Sequence, residues 1–298
     1  MVRKLIILSV AIFLIGGVVF AGGGREEAQA DDQWPESLVL GMVPSREVSR
    51  MIESIDPLTD LLSEELGMPV SGTVLTSFTG VIEAMGTGRV DIGIFGPFAL
   101  VLGEERHNLE IILNSIRYGA DHYKAQFVVR EDSGINTLDD LRGKTIAFVD
   151  PASASGYLFP YVHLLSNDID PDTDLADYIF AGAHDAAIIA VMTGEVDAGV
   201  SFDDARLELV GEYPTMMEET KILTYTEEIA NDGVAVRPGL HPDLVSAIQN
   251  AFVAVGDTPE GQELLDTLYN VSGFVPASSE RYDVVRRTYE EMQEFIDF

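Results

Sequence analysis

One segment of the chain echoes another. "VIEAMGTGRVDIGIF" (residues 81–95) matches "IIAVMTGEVDAGVSF" (residues 188–202) closely when one residue is skipped in the second copy. Each copy reads as a helix, a glycine break and a Val-Asp-x-Gly strand. The copies lie roughly 100 residues apart, too far for a short solenoid repeat. An echo at that spacing points to two similar lobes, each presenting the end of one strand toward the space between them. Common helix–strand units also resemble one another by chance, so the echo needs support from the rest of the chain.

That support comes from the order of elements. "SLVLGMVPS" reads as a buried strand that stops at Pro44. "MIESIDPLTDLLSEELG" has helical spacing at Ile52, Ile55, Leu58, Leu61, Leu62 and Leu66, with Gly67 as the stop. Strands and helices then alternate, which predicts an α/β chain with largely parallel sheets. "SIRYGADHYKAQFVVRED" would leave the first lobe near residue 127, and "EETKILTYTEEIANDGVAVRPG" would return near residue 226. The expected division is residues 37–127 and 226–298 for lobe one and 128–225 for lobe two. Two crossing strands would make a hinge, with the ligand in the cleft at the strand carboxyl ends.

The N-terminus bounds the compartment. Arg3 and Lys4 precede an apolar run from Leu5 to Phe20, with Val19 and Ala21 placed for cleavage. Residues 1–21 therefore read as a signal peptide, and residues 22–36 as a flexible polar spacer. No cysteine occurs anywhere, which excludes a lipid-modified cysteine as an anchor. No later run is long enough to span a bilayer. The mature protein is expected to be soluble, exported (periplasmic, for example) and monomeric.

The formal charge is −32, and −34 without Arg3 and Lys4 (16 basic against 50 acidic residues). Such a chain repels nucleic acid and anionic membrane surfaces. Salt screens that field beyond roughly 10 Å, so local donors can still hold a small anion.

One loop offers such donors. After strand "KTIAFV", the stretch "DPASASGYLFP" (residues 150–160) carries Ser153, Ala154, Ser155 and Gly156 into a helix start. Two hydroxyls beside free helix N–H groups make an anion cradle without a lysine. A plain helix cap is the other reading, and one serine would suffice for it. His184, beside Asp185, opens a second helix and can donate to an anion, or simply cap. Asp203 and Asp204 end the echoed strand, and Asn231 and Asp232 lie near the return crossing. A carboxylate there would accept from a protonated oxyanion or pair with a ligand amine; solvated surface acids are the bland alternative.

Other chemistries fail on spacing. "ASASG" lacks the Gly-x-Ser-x-Gly elbow, which leaves a Ser/His hydrolase as the weaker reading. "DIDPDTDLAD" puts Thr173 and Ile179 where a calcium loop needs Gly and Glu. No Walker loop, dinucleotide fingerprint or zinc spacing is present, so neither cofactor nor metal is expected.

Taken together, "VIEAMGTGRVDIGIFGPFALV", "GKTIAFVDPASASGYLFP" and "AGAHDAAIIAVMTGEVDAGVSFDDA" resemble the substrate-binding proteins of ABC importers for phosphate, phosphite and phosphonates. The resemblance runs from about Leu38 to about Leu265. It implies a two-lobed, type II periplasmic-binding-protein fold, a membrane permease as partner and no catalysis. It places Ser153, Ser155 and the N–H of Ala154 on the phosphonyl oxygens, with His184, Asp203 or Asp204, and Asp232 around them. Ala154 stands where the family usually has threonine. Ser77-Phe78 replaces an Asp-Tyr pair, and Leu100 a tyrosine. Tyr123 and Tyr157 are the candidate replacements for those hydroxyls. The lost hydroxyls suit a ligand with P–H or P–CH₃ groups, or another anion such as a carboxylate.

Overall fold

The structure, a computed structural model, describes residues 34–43, 48–203 and 205–293. The expected signal peptide, most of the spacer and Asp204 lie outside them. The chain begins with β1 (Leu38–Met42), α1 (Val48–Leu66), β2 (Val70–Val74), α2 (Phe78–Gly86), β3 (Ile92–Phe95), α3 (Pro97–His107) and β4 (Glu110–Arg117). It crosses into β5 (His122–Arg130), β6 (Thr145–Phe148), a π-helical turn (Ala154–Leu158), α4 (Phe159–Leu165), α5 (Pro171–Asp174) and β7 (Asp177–Phe180). There follow α6 (His184–Met192), β8 (Ala198–Phe202), α7 (Ala205–Leu209), α8 (Met216–Glu219) and β9 (Thr220–Ala230). It returns through β10 (Gly233–Val236), α9 (Pro242–Gly256), α10 (Pro259–Tyr269), β11 (Val271–Pro276) and α11 (Asp283–Met292).

Two sheets form, ordered β11-β4-β10-β3-β1-β2 and β7-β6-β8-β5-β9. Apart from β11 the two orders correspond, and the echoed strands β3 and β8 occupy the same place in each. Their neighbours β1 and β6 run parallel to them. Their other neighbours, β10 and β5, are antiparallel. The sheets are therefore mixed rather than largely parallel. The reason is topological: β10 and β5 enter from the opposite lobe, at the end where β3 and β8 finish, and so run the other way.

The Val-Asp-x-Gly echo has a physical meaning in this frame. Asp91 Oδ2 accepts the Val39 N–H at 2.8 Å, and Asp197 Oδ2 accepts the Thr145 N–H at 2.9 Å. Each aspartate thus ties the echoed strand to its parallel neighbour, β1 or β6. Asp91 also receives Arg237 Nε at 2.7 Å. The glycine serves helix packing: a Cβ on Gly93 would lie 2.5 Å from Met85 Sδ, and one on Gly199 2.8 Å from the Ala187 carbonyl oxygen. Only glycine lets α2 and α6 sit this close to β3 and β8.

The change of sheet falls at residues 118–121 and 231–232. All of β5 lies in the second sheet, so the first crossing comes before the position expected near 127, and the second after 226. Tyr118 (φ 50°) and Gly119 (φ 78°) make a tight turn closed by paired Arg117–Ala120 backbone bonds of 2.9 Å. Asn231 Nδ2 donates to the Ser115 and Ala120 carbonyls at 3.1 and 2.8 Å. Asn114 Nδ2 donates to the Asn231 carbonyl at 3.1 Å. Two buried amides thereby stitch the crossings together where no strand ladder can.

The expected C-terminal helices α9 and α10 pack on α1. The strand β11 and helix α11 have no counterpart in the sequence reading. Helix α11 packs on α3 and also touches α4, β9 and the π-helical turn, so the last segment is shared by both lobes. One apolar cluster runs from Phe78 and Phe98 through Tyr282 and Tyr289 to Phe148, Tyr157 and Ala205. The lobes are closed on each other.

Candidate functional site

The serine loop is built by local hydrogen bonds. Asp150 Oδ1 accepts the Ala152 N–H at 2.8 Å, and the Asp150 carbonyl accepts the Ser153 N–H at 2.9 Å. Ser153, in extended conformation, caps the turn: its Oγ accepts the Gly156 N–H at 3.0 Å. The Leu158 N–H then reaches back five residues to the Ser153 carbonyl at 3.0 Å. The helix expected at this point thus opens with a π turn. A wider first turn leaves more N–H groups without an intrahelical acceptor than an α turn does. A Cβ on Gly156 would lie 2.4 Å from Val149 Cβ, so glycine allows the loop to fold back on its own strand. Tyr157 does not reach into the site: its ring packs at 5.1 Å from both Phe148 and Phe180.

Between the lobes lies a cavity of about 30 Å³, where about 10–15 Å³ holds one water on the same measure. Val43, Phe78, Gly96, Arg117, Tyr123, Ser153, Ala154, Ser155, His184, Phe202 and Asp232 line it. Seven of the nine residues singled out from the sequence therefore meet in one place. The echo explains part of this: α2 and α6 begin at the cavity with Phe78 and His184, Gly96 directly follows β3 there, and Phe202 ends β8 there. Asp203 is not among the lining residues, and its backbone N–H is spent on the Lys124 carbonyl at 2.8 Å.

The electrostatics keep donors in their donating form. Burial pushes the Tyr123 hydroxyl far above the usual phenol range, and the Asp232 charge adds to this. A hydrogen bond with Ser155 and the Arg117 charge pull the other way, and Asp203 again raises it. Tyr123 stays a protonated donor at any physiological pH. His184 is buried, with Nδ1 3.0 Å from Ser201 Oγ and its ring 4.9 Å from Phe202. These contacts fix its orientation at the start of α6. Asp150 is buried behind the serine loop; burial raises its carboxyl, while the Ala152 and Phe78 N–H groups draw it down. Phe78 belongs to the facing lobe, so Asp150 also joins the lobes.

Arg117 is the site residue that sequence reasoning missed. It ends β4, is 7% exposed, and its Nε has no hydrogen-bond partner among the described residues. Its guanidinium sits 4.9 Å from the Phe202 ring and 5.7 Å from the Tyr123 ring. The signal was present: a cation closing the apolar strand "EIILNSIR", in a chain with 18 basic residues. A strand-ending arginine ordinarily points to solvent, and only the crossing turn aims this one inward.

The arrangement is an enclosed cluster of hydroxyls, N–H groups and one guanidinium, suited to a small oxyanion. Comparisons with known proteins agree. A family model described as the phosphonate periplasmic substrate-binding protein of ABC transporters matches residues 40–282. A phosphate-import protein, PhnD, of Mycolicibacterium smegmatis is 28% identical over 286 residues, covering 89% of each chain. The crystal structure of a binding-protein component of a Pseudomonas aeruginosa ABC phosphonate transporter superposes with TM-score 0.79 at 22% identity, over 86% of both chains. PhnD1 of Prochlorococcus marinus, solved with methylphosphonate, gives 0.78 at 18% identity, over 87% of this chain and 99% of that one. These neighbours share the two-lobed type II periplasmic-binding-protein fold. The chain belongs to the family of periplasmic phosphonate-binding proteins that serve ABC transporters.

Proposed function

We propose that this protein is exported through its N-terminal signal, closes its lobes on a compact phosphorus oxyanion, and delivers it to a membrane permease. Phosphate, phosphite and methylphosphonate are the candidate ligands. The observation that carries this reading is the convergence of Ser153, Ser155, Tyr123, His184 and Arg117 on one cavity of about 30 Å³. Closure excludes water, which strengthens each bond to the anion. Affinity then comes from many fixed donors and not from the net charge. The small volume favours an oxyanion with at most a small apolar group, and Phe78 and Val43 offer an apolar wall to it.

Binding without turnover fits the pairings. His184 Nδ1 meets Ser201, and the Ser155 hydroxyl meets that of Tyr123, so both groups are held by contacts that suit binding an anion. Among the described residues no helix is long and apolar enough to cross a membrane.

A thermal-shift screen tests the reading with phosphate, phosphite, methylphosphonate and 2-aminoethylphosphonate, and with acetate and sulfate as other anions. A ligand at about 1,000 times its dissociation constant stabilises by about 4 kcal/mol. At ~2–4 °C per kcal/mol for a chain of this size, the melting point rises by roughly 8–16 °C. No shift with any of the phosphorus compounds, or a larger one with acetate, sinks the proposal.

A further inference from the structure

We propose that Arg117 sets the ligand class of this site, selecting oxyanions without a cationic substituent and rejecting aminoalkylphosphonates. This rests on the reading that the cavity takes a phosphorus oxyanion. The Arg117 guanidinium is 7% exposed, and its buried Nε lacks a partner among the described residues, a donor that an oxyanion in the cavity would satisfy. Its planar fork of donors matches two oxygens of a phosphonyl group. The Phe202 and Tyr123 rings hold it in place from the other lobe.

The same position explains rejection. Asp232 lines this cavity, and Asp203 acts on the same Tyr123 hydroxyl as Asp232 and Arg117 do. Without Arg117, these carboxylates would be the natural partners of a ligand ammonium. With it, the protein supplies the cation itself. A second positive charge brought in by the ligand would face the guanidinium at short range in a poorly screened space. Charge selection thus acts through one side chain.

Calorimetric titration of the mature protein with methylphosphonate and with 2-aminoethylphosphonate tests this. The wild type should prefer methylphosphonate by about 100-fold or more. Arg117→Ala should lose about 10-fold or more toward methylphosphonate, the usual loss for a charge-assisted hydrogen bond. It should also narrow the preference by about 10-fold or more. Arg117→Lys, which keeps the charge and loses the fork, should bind methylphosphonate more weakly yet keep the preference. Arg117→Gln keeps the bulk without the charge and carries the test if the alanine variant does not fold: its preference should fall too. A preference unchanged in both neutral variants, or a wild type that favours 2-aminoethylphosphonate, overturns the role of Arg117 alone. A wild type that binds no phosphorus compound overturns the functional reading and this inference with it.

Discussion

Removing the Ser153 hydroxyl separates the two roles that its loop suggests. In the structure Ser153 is 2% exposed, and its Oγ accepts the Gly156 N–H at 3.0 Å while facing the cavity. Ser153→Ala therefore has two consequences. The lost cap leaves a buried N–H unpaired and costs about 1–2 kcal/mol in the absence of ligand. At ~2–4 °C per kcal/mol, the melting point falls by roughly 2–8 °C. The hydroxyl's own proton is free to donate to an oxyanion, and a hydrogen bond to a charged group is worth about 1.5–3 kcal/mol. That loss weakens binding by roughly 10- to 150-fold. Differential scanning fluorimetry reads the first effect and isothermal titration with methylphosphonate the second. A lower melting point with affinity unchanged within about threefold would reduce Ser153 to a helix cap and refute the cradle.

Further outcomes follow from the same geometry. Ala154→Thr, which restores the family's usual side chain at a position lining the cavity, should tighten binding of phosphate by about threefold or more in titration; weaker binding would show that the extra methyl does not fit. Asp197→Ala frees the Thr145 N–H and hydroxyl, costing about 1–2 kcal/mol in chemical denaturation, whereas Asp91→Ala also strands the Arg237 guanidinium and costs about 3 kcal/mol or more; equal losses would contradict the clamp described for Asp91. Asp150 has its carboxyl raised by burial, so the stability it lends is present in its protonated form and is lost as pH rises through its folded-state value. Asp150→Asn, neutral throughout, should therefore gain melting temperature relative to the wild type as pH rises above about 4, the ordinary aspartate value; a difference independent of pH would refute this.

Much of the two-lobed plan was legible because its cause is local. A helix, a glycine and a Val-Asp-x-Gly strand recur since each lobe needs an aspartate to tie its strands and a glycine to admit its helix. The same holds for the loop at residues 150–160, whose serines and Gly156 carry their constraints in sequence. What escaped the reading depends on distant partners. Strand direction in β10 and β5 follows from the chain entering across the cleft, which no local pattern encodes. Asn114 and Asn231 stitch the crossings through atoms more than 100 residues apart. Arg117 looks like a strand end until the turn at Tyr118 and Gly119 carries it beneath Phe202. The C-terminal α11 shows no strong apolar run, because its packing face is supplied by both lobes, and β11 is a short edge strand beside β4.

The central claim is that the interlobe cavity holds a phosphorus oxyanion on the serine loop. A crystal structure of the mature protein grown with methylphosphonate tests it most directly. The account predicts phosphorus density inside the cavity, with its oxygens hydrogen-bonded to Ser153, Ser155, Tyr123 and the Arg117 guanidinium, and the methyl group toward Phe78. Density for the ligand elsewhere, or closed lobes with Ser153 and Ser155 making no contact to it, would contradict the account.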